Sequence, residues 1–365
     1  MTNAYPLQLQ PELKDKVWGG QSLEAMLGLE RSGRKVGEAW LVYEDLRVAN
    51  GAWAGRTLAG LTKDFPDLML GAQHAASIIN GVPRFPLLAK FLDPSEWLSV
   101  QVHPDDAYAR EKEHMPYGKC EAWYVVRSEA GARIIHGLSQ PISRERLIDA
   151  AKSGEIKGLM DYVELHLGEA VINMPGIIHA LGPGLVIYEI QQSSDITYRL
   201  YDWDRPASAG RELHLEQSGD VSDYAPIDQH RIRPLTLQGN GATRTLFAAC
   251  RYFAAEKVDV RSRYSSDTLG TSPHLLTALH GAGVVVANGT AAELGVGQSV
   301  VIPAQADAYH IEPAGELSLI CSFVPDLLRD VIAPLQRAGY GNRDIAQLGG
   351  HLRRSDLNAM LFRQD

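Results

Sequence analysis

The sequence predicts a mainly β protein of two barrel-like modules, with helices serving as insertions and covers. Three observations carry this expectation. Short apolar or alternating runs punctuated by Gly and Pro recur along the 365 residues, which suits sandwiches and barrels better than alternating β and α. Helical periodicity is confined to 61–79, 105–114, 143–159, 325–337 and 353–362. The third is an internal echo: Gly168-EAVINMPGIIH and Gly297-QSVVIPAQADAYH both run Gly, apolar strand, Pro-containing turn, His. His179 comes eleven residues after its Gly, and the equally spaced position in the second copy is Ala308. Only the first copy can hold a metal at this point. The first module, 1–235 with a helical insertion around 140–161, is therefore expected to be functional. The second, 236–365 with C-terminal helices, is expected to be structural and metal-free, the join falling in the polar stretch 226–240.

The elements follow in chain order. The N-terminus MTNAYPLQLQPELKDKVWGG lacks the charged-then-apolar pattern of a signal peptide, and no run of eighteen apolar residues occurs, so a cytoplasmic, soluble chain is expected. A formal net charge of −9 and a pI near 5.8 argue against nucleic acid or an anionic membrane as partner. A small anionic substrate needs a local basic pocket. The expected assembly is a monomer or weak homo-oligomer. In DPSEWLSVQVHPDD, alternation puts Trp97, Ser99, Gln101 and His103 on one face and Leu98, Val100 and Val102 on the other. Pro104 stops this strand, and Asp105 and Asp106 suit the start of a helix. Ser143 is an N-cap for the next helix. The three cysteines, Cys120, Cys250 and Cys321, are odd in number and form no CxxC pair, which indicates neither a disulfide framework nor a thiolate zinc site.

Several polar residues interrupt apolar strand runs. Glu121 opens the run in GKCEAWYVV, and His179 follows a Pro-Gly turn. With His103 they make a His, Glu, His set offered from three strand ends, which nitrogen and oxygen sites use for zinc and similar ions. Spacing alone equally allows two structural histidines and a surface glutamate. Glu189 sits in LVIYEIQQ and Arg199 in ITYRLYD. Arg199 reads either as an ion-pair partner of Asp202 or Asp204 or as a fixed positive charge beside a reacting oxygen.

Together AKFLDPSEWLSVQVHPDD, GKCEAWYVV, the Pro-Gly-x-x-His segment ending at HALGPG, and SSDITYRLYDWDR resemble the type I phosphomannose isomerases in their short bacterial form. WGG at Trp18 to Gly20, GEAW at Gly37 to Trp40 and RELHLEQS add to the likeness, which runs with gaps from about residue 5 to 325. The resemblance implies cupin (jelly-roll) β-barrels and one zinc ion held by His103, Glu121 and His179. It implies Gln101 as a candidate fourth ligand, Arg199 and Glu189 as catalytic residues, and Lys119, Ser99 and Gln101 near the sugar phosphate. The implied reaction interconverts mannose 6-phosphate and fructose 6-phosphate through a cis-enediol. A cupin isomerase for another sugar, or a non-catalytic sugar-binding cupin, is the alternative. Two departures stand out: Met174-Pro175-Gly176 where the family usually reads Pro-Ala-Gly, and Cys120 where Thr is frequent.

Overall fold

The structure is a computed structural model and describes residues 4–71, 78–79, 81–205 and 211–362. Three large sheets stack in layers. The middle sheet has six strands, ordered Ala170–Asn173, Glu121–Ser128, Leu185–Gln192, Leu87–Leu92, Val36–Val42 and Glu12–Gly20. Every residue of Leu87–Leu92 and Leu185–Gln192 is buried, as a sheet covered on both faces requires. On one side Trp123, Val125, Val171 and Ile187 meet Ile134, Val163 and Leu181 of a five-stranded sheet. On the other, Ala122, Tyr124, Tyr188 and Ile190 join a larger core with Phe247, Leu275 and Leu319 of a nine-stranded sheet. Tyr188 and Ser322 hydroxyls meet at 3.3 Å across that contact.

The five-stranded sheet runs Met160–Glu164, Arg133–Leu138, His179–Leu181, Val100–Val102, Tyr198–Tyr201. The nine-stranded sheet holds the later strands from Leu235–Gln238 to Ala308–Phe323 and also Leu7–Gln8, which pairs with Val301 and Val300. The expected closed barrels are corrected here: the described sheets keep open edges at Met160–Glu164, Tyr198–Tyr201, Ala170–Asn173 and Glu12–Gly20. Pro104 and the Pro175-Gly176 turn lie just beyond strand ends, and proline has no N–H with which to extend a ladder. Mainly β architecture stands as expected.

The helices sharpen the sequence expectation. The predicted 61–79 helix is instead Leu58–Asp64 and Pro66–Leu70, because Pro66 has no N–H to continue the first helix and starts a second; 72–77 lie outside the described residues. Ser143 caps Arg144–Ser153, accepting from Arg146 N at 3.2 Å, and Gly154 ends that helix at φ 76°. Asp105 caps Asp106–Lys112. The 325–337 stretch divides into a π-helix, Leu327–Ile332, and Ala333–Arg337. No described helix is long and apolar enough to cross a membrane.

The internal echo has a structural counterpart. Gly168 and Gly297 both take positive φ, 84° and 76°, two residues before Ala170–Asn173 and Ser299–Ile302. The strands that follow begin at His179 and Ala308, the two equally spaced positions.

Candidate active site

The predicted alternation holds where it matters. Val100 and Val102 are buried with Leu147, Ala150 and Ala151 of the Arg144–Ser153 helix. It slips one place at the entrance, where Leu98 joins the inner core and Trp97 packs on the Val100 side. Gln101 pairs across the sheet with His179 on one side and Arg199 on the other. In the middle sheet, Glu189 lies between Lys90 and Trp123 in register, and Glu121 opposes Asn173. Strand pairing thus brings together residues from 90 to 199.

His103, Glu121 and His179 converge, with one ligand atom from each lying within 4.8 Å of the others. All three are at most 1% exposed. His103 Nδ1 lies 2.9 Å from Ile196 O, and His179 Nδ1 lies 2.8 Å from Ile177 O. A carbonyl only accepts, so each Nδ1 must carry the proton. A neutral ring then offers a bare Nε2 to the centre. His103 Nε2 is 3.5 Å from Glu121 Oε2, with no hydrogen-bond partner among the described residues, and His179 Nε2 is 3.2 Å from Glu121 Oε1. Lone pairs aimed at a carboxylate repel, and a shared cation resolves the conflict. The donor set therefore fits a divalent ion.

Charges around the site reinforce this. Burial, with Lys119 nearby, pushes the His103 pKa down to about 3, so the ring is neutral at pH 7. Burial alone raises the Glu121 carboxyl, but the Lys119 ammonium outweighs it and holds Glu121 well below the usual carboxylate range. Lys119 Nζ is 3.0 Å from Glu121 Oε2, and Asn173 donates to Glu121 Oε1 at 3.0 Å.

Above the triad lies a cleft of about 420 Å³ lined by Lys16, Glu38, Lys90, Gln101, Lys119, Trp123, Glu189, Thr197, Arg199 and Arg211, among others. Gln101 Nε2 reaches down to His179 Nε2 at 3.3 Å. Glu189 receives Trp123 Nε1 at 2.8 Å and pairs with Lys90 at 3.0 Å; burial and Glu121 raise its pKa against the pull of Lys90. For Lys90, burial is outweighed by Glu189 and Glu38, and its pKa rises. Arg199 has no carboxylate partner among the described residues. Its Nε donates to Ser99 Oγ at 3.2 Å and Nη1 to Glu212 O at 2.8 Å, while Asp202 pairs with Arg205 and Arg211.

Two participants escaped the sequence reading. Arg211 donates to the same Ser99 Oγ at 3.2 Å, bringing a second guanidinium beside Arg199. Its signal was present at the head of RELHLEQS. Asn173 was visible as an amide inside an apolar strand. Lys90, as readily a surface lysine by sequence, is 4% exposed.

Glu38 gives a pH prediction. Burial raises its carboxyl pKa, but Lys90, Lys16 and Trp40 Nε1 bring it down to about 2. Relative to an unfolded value near 4.5, the depressed pKa stabilises the fold above that value. The contribution, on the order of 3 kcal/mol, is lost as pH falls from about 4.5 towards 2. Glu38→Gln should thus lower urea stability at pH 7 but narrow its deficit to the parent at pH 3. A deficit independent of pH would show that the ionised carboxylate is not the source.

A family described as phosphomannose isomerase type I, catalytic domain, matches residues 7–124, and one described as mannose-6-phosphate isomerase, cupin domain, matches 243–324. A probable mannose-6-phosphate isomerase of Bacillus subtilis is 33% identical over 325 residues, covering 86% of this chain and 98% of the relative. The chain belongs to the type I phosphomannose isomerases. Within that family, the mannose-6-phosphate isomerase of Streptococcus mutans is 33% identical, over 87% of this chain and 98% of its own. The crystal structure of the Bacillus subtilis mannose 6-phosphate isomerase superposes with a TM-score of 0.77 at 31% identity, covering 87% of this chain and 99% of that one. Family membership makes the cupin-type fold the frame for the buried His, Glu, His cluster.

Proposed function

We propose that this family member interconverts mannose 6-phosphate and fructose 6-phosphate, moving a proton between C1 and C2 through a cis-enediol. The observation that carries the reading is the pair of imidazoles with committed Nδ1 atoms aimed at one buried carboxylate, joined through Gln101 and Lys119 to a cleft that also presents Arg199 and Arg211. His103, Glu121 and His179 are the proposed ligands and zinc the proposed ion, with Gln101 as a candidate fourth donor. When bound, zinc would supply Lewis-acid polarisation of the sugar oxygens.

The chain's own groups do the rest. Lys119 keeps Glu121 ionised and adds positive charge to the cleft floor. Arg199, with no carboxylate partner among the described residues, is the proposed charge that steadies negative charge developing on O1 or O2. Arg211 donates to the same Ser99 Oγ, and Arg211 with Ser99 suits the phosphate end, because forked N–H donors match phosphate oxygens. Glu189 is the proposed proton-transfer carboxylate, since its raised pKa moves it towards the operating range of a base. Residues 1–235 act as the catalytic cupin module and 236–365 as a metal-free cupin module. The paired strand starts at His179 and Ala308 support that division.

The test is a coupled assay for conversion of mannose 6-phosphate on protein as purified, after chelation and after zinc is returned. Activity should vanish with the metal and recover with zinc. Folded, zinc-loaded protein that turns over no mannose 6-phosphate would overturn the reading.

A further inference from the structure

The relatives are covered almost end to end while 14% of this chain stands outside the shared region, the match to the first being 86% of this chain and 98% of the relative. The cupin domain match stops at 324, yet the chain continues in ordered structure to Asp356–Phe362. This last part does not merely cover the nine-stranded sheet. It crosses to the first module and takes hold of the turn that delivers His179.

That turn, Met174 to Ile177, serves both histidines. Ile177 O fixes His179 Nδ1, and Gly176 N donates to His103 O at 2.9 Å. On the side away from the cleft, Arg354 Nη1 donates to Pro175 O at 2.7 Å and its Nε to Asp223 Oδ2 at 3.0 Å. Asp223 N in turn donates to Gly176 O at 2.8 Å. Arg354, Asp223 and the two turn carbonyls therefore form one closed ring of hydrogen bonds. Gly176 has φ 90°, and a Cβ there would sit 2.9 Å from both Arg354 Nη1 and Val221 O, so the guanidinium lies directly on the turn. Neighbouring contacts anchor the segment: His351 Nδ1 meets Asp228 Oδ1 at 2.6 Å, and Asp356 receives Arg251.

We propose that the C-terminal segment is a clamp on the metal centre and that Arg354 is its positioning residue, setting both imidazoles through the Pro175-Gly176 turn. The proposal rests on the zinc reading above. Groups that orient a metal's ligands typically change metal affinity by about 10–100-fold when removed. Arg354 touches neither ligand side chain, so its effect must pass through backbone geometry.

The experiment compares the parent with Arg354→Ala, Arg354→Lys and Asp223→Asn, using Arg353→Ala as control, because Arg353 donates to Pro226 O rather than to the Pro175-Gly176 turn. Zinc affinity is read by competition with a chromogenic chelator, and unfolding of the metal-free proteins is read in parallel. Arg354→Ala should weaken zinc about tenfold or more, and Arg354→Lys should recover part of that by reaching one carbonyl. Asp223→Asn keeps the backbone N–H to Gly176 and should fall between. Arg353→Ala should match the parent. Parent-like zinc affinity in Arg354→Ala overturns the clamp while leaving the zinc reading intact; so does a loss equalled by Arg353→Ala, which would mark general loosening. A parent that binds no zinc overturns both. Should Arg354→Ala fail to fold, Asp223→Asn decides: weakened zinc with unchanged metal-free stability supports the clamp, and unchanged zinc overturns it.

Discussion

Replacing Glu121 by glutamine is expected to leave the protein without stoichiometric zinc and to reduce turnover to background. The carboxylate is the one anionic member of the candidate ligand set and the group at which two bare imidazole nitrogens point. The amide keeps the shape and loses the charge. It also strands Lys119, 3% exposed and 3.0 Å from Glu121, as a buried cation without its counter-charge. Breaking a buried pair by removing one partner costs roughly 3–5 kcal/mol, so the metal-free variant should unfold at distinctly lower urea concentration. Metal analysis after dialysis, the coupled assay and urea titration read these effects separately. Full zinc occupancy with parent-like activity would remove Glu121 from the ligand set.

Arg199→Ala has the second largest expected effect, and its signature is different. Zinc content and stability should stay near the parent, because Arg199 makes no ion pair among the described residues and contacts Ser99 Oγ and Glu212 O. Turnover should fall about a hundredfold, the equivalent of about 3 kcal/mol for one preorganised donor. Arg199→Lys should restore little, since a single ammonium cannot keep both donor directions of the guanidinium. If kcat survives in Arg199→Ala, the arginine is a substrate anchor at most, and a rise in KM alone would say so.

How far the site could be read from the sequence depended on how each residue announces itself. His103, Glu121, His179, Glu189 and Arg199 each break an apolar strand pattern, and polar atoms in such places need a partner or a task. Strand register then does what spacing cannot: Gln101 becomes the neighbour of both His179 and Arg199 only when 78 to 98 residues of chain fold back. Arg211 was hidden because it leaves a polar stretch where an arginine is unremarkable. The long 61–79 helix was overdrawn because apolar periodicity outweighed Pro66, whose missing N–H divides it. Closed barrels were expected because alternation counts strands without showing where a ladder stops. The proposed clamp had no sequence signal, since Arg354 meets a carboxylate 131 residues away and the turn is held through backbone carbonyls of Pro175 and Gly176.

The short strand Leu7–Gln8 finds its partners at Val301 and Val300. Ribosomal synthesis runs from the amino end, so this segment is made well before residues 300–301 and waits for them before this edge can pair. Until then this strand has one edge bonded to residues 47–50 and the other open, the outer sheet is incomplete, and contacts of such sequence separation form slowly. The nine-stranded sheet can therefore be completed only late in translation. A short amino-terminal truncation would act at a distance, loosening a sheet encoded almost three hundred codons downstream.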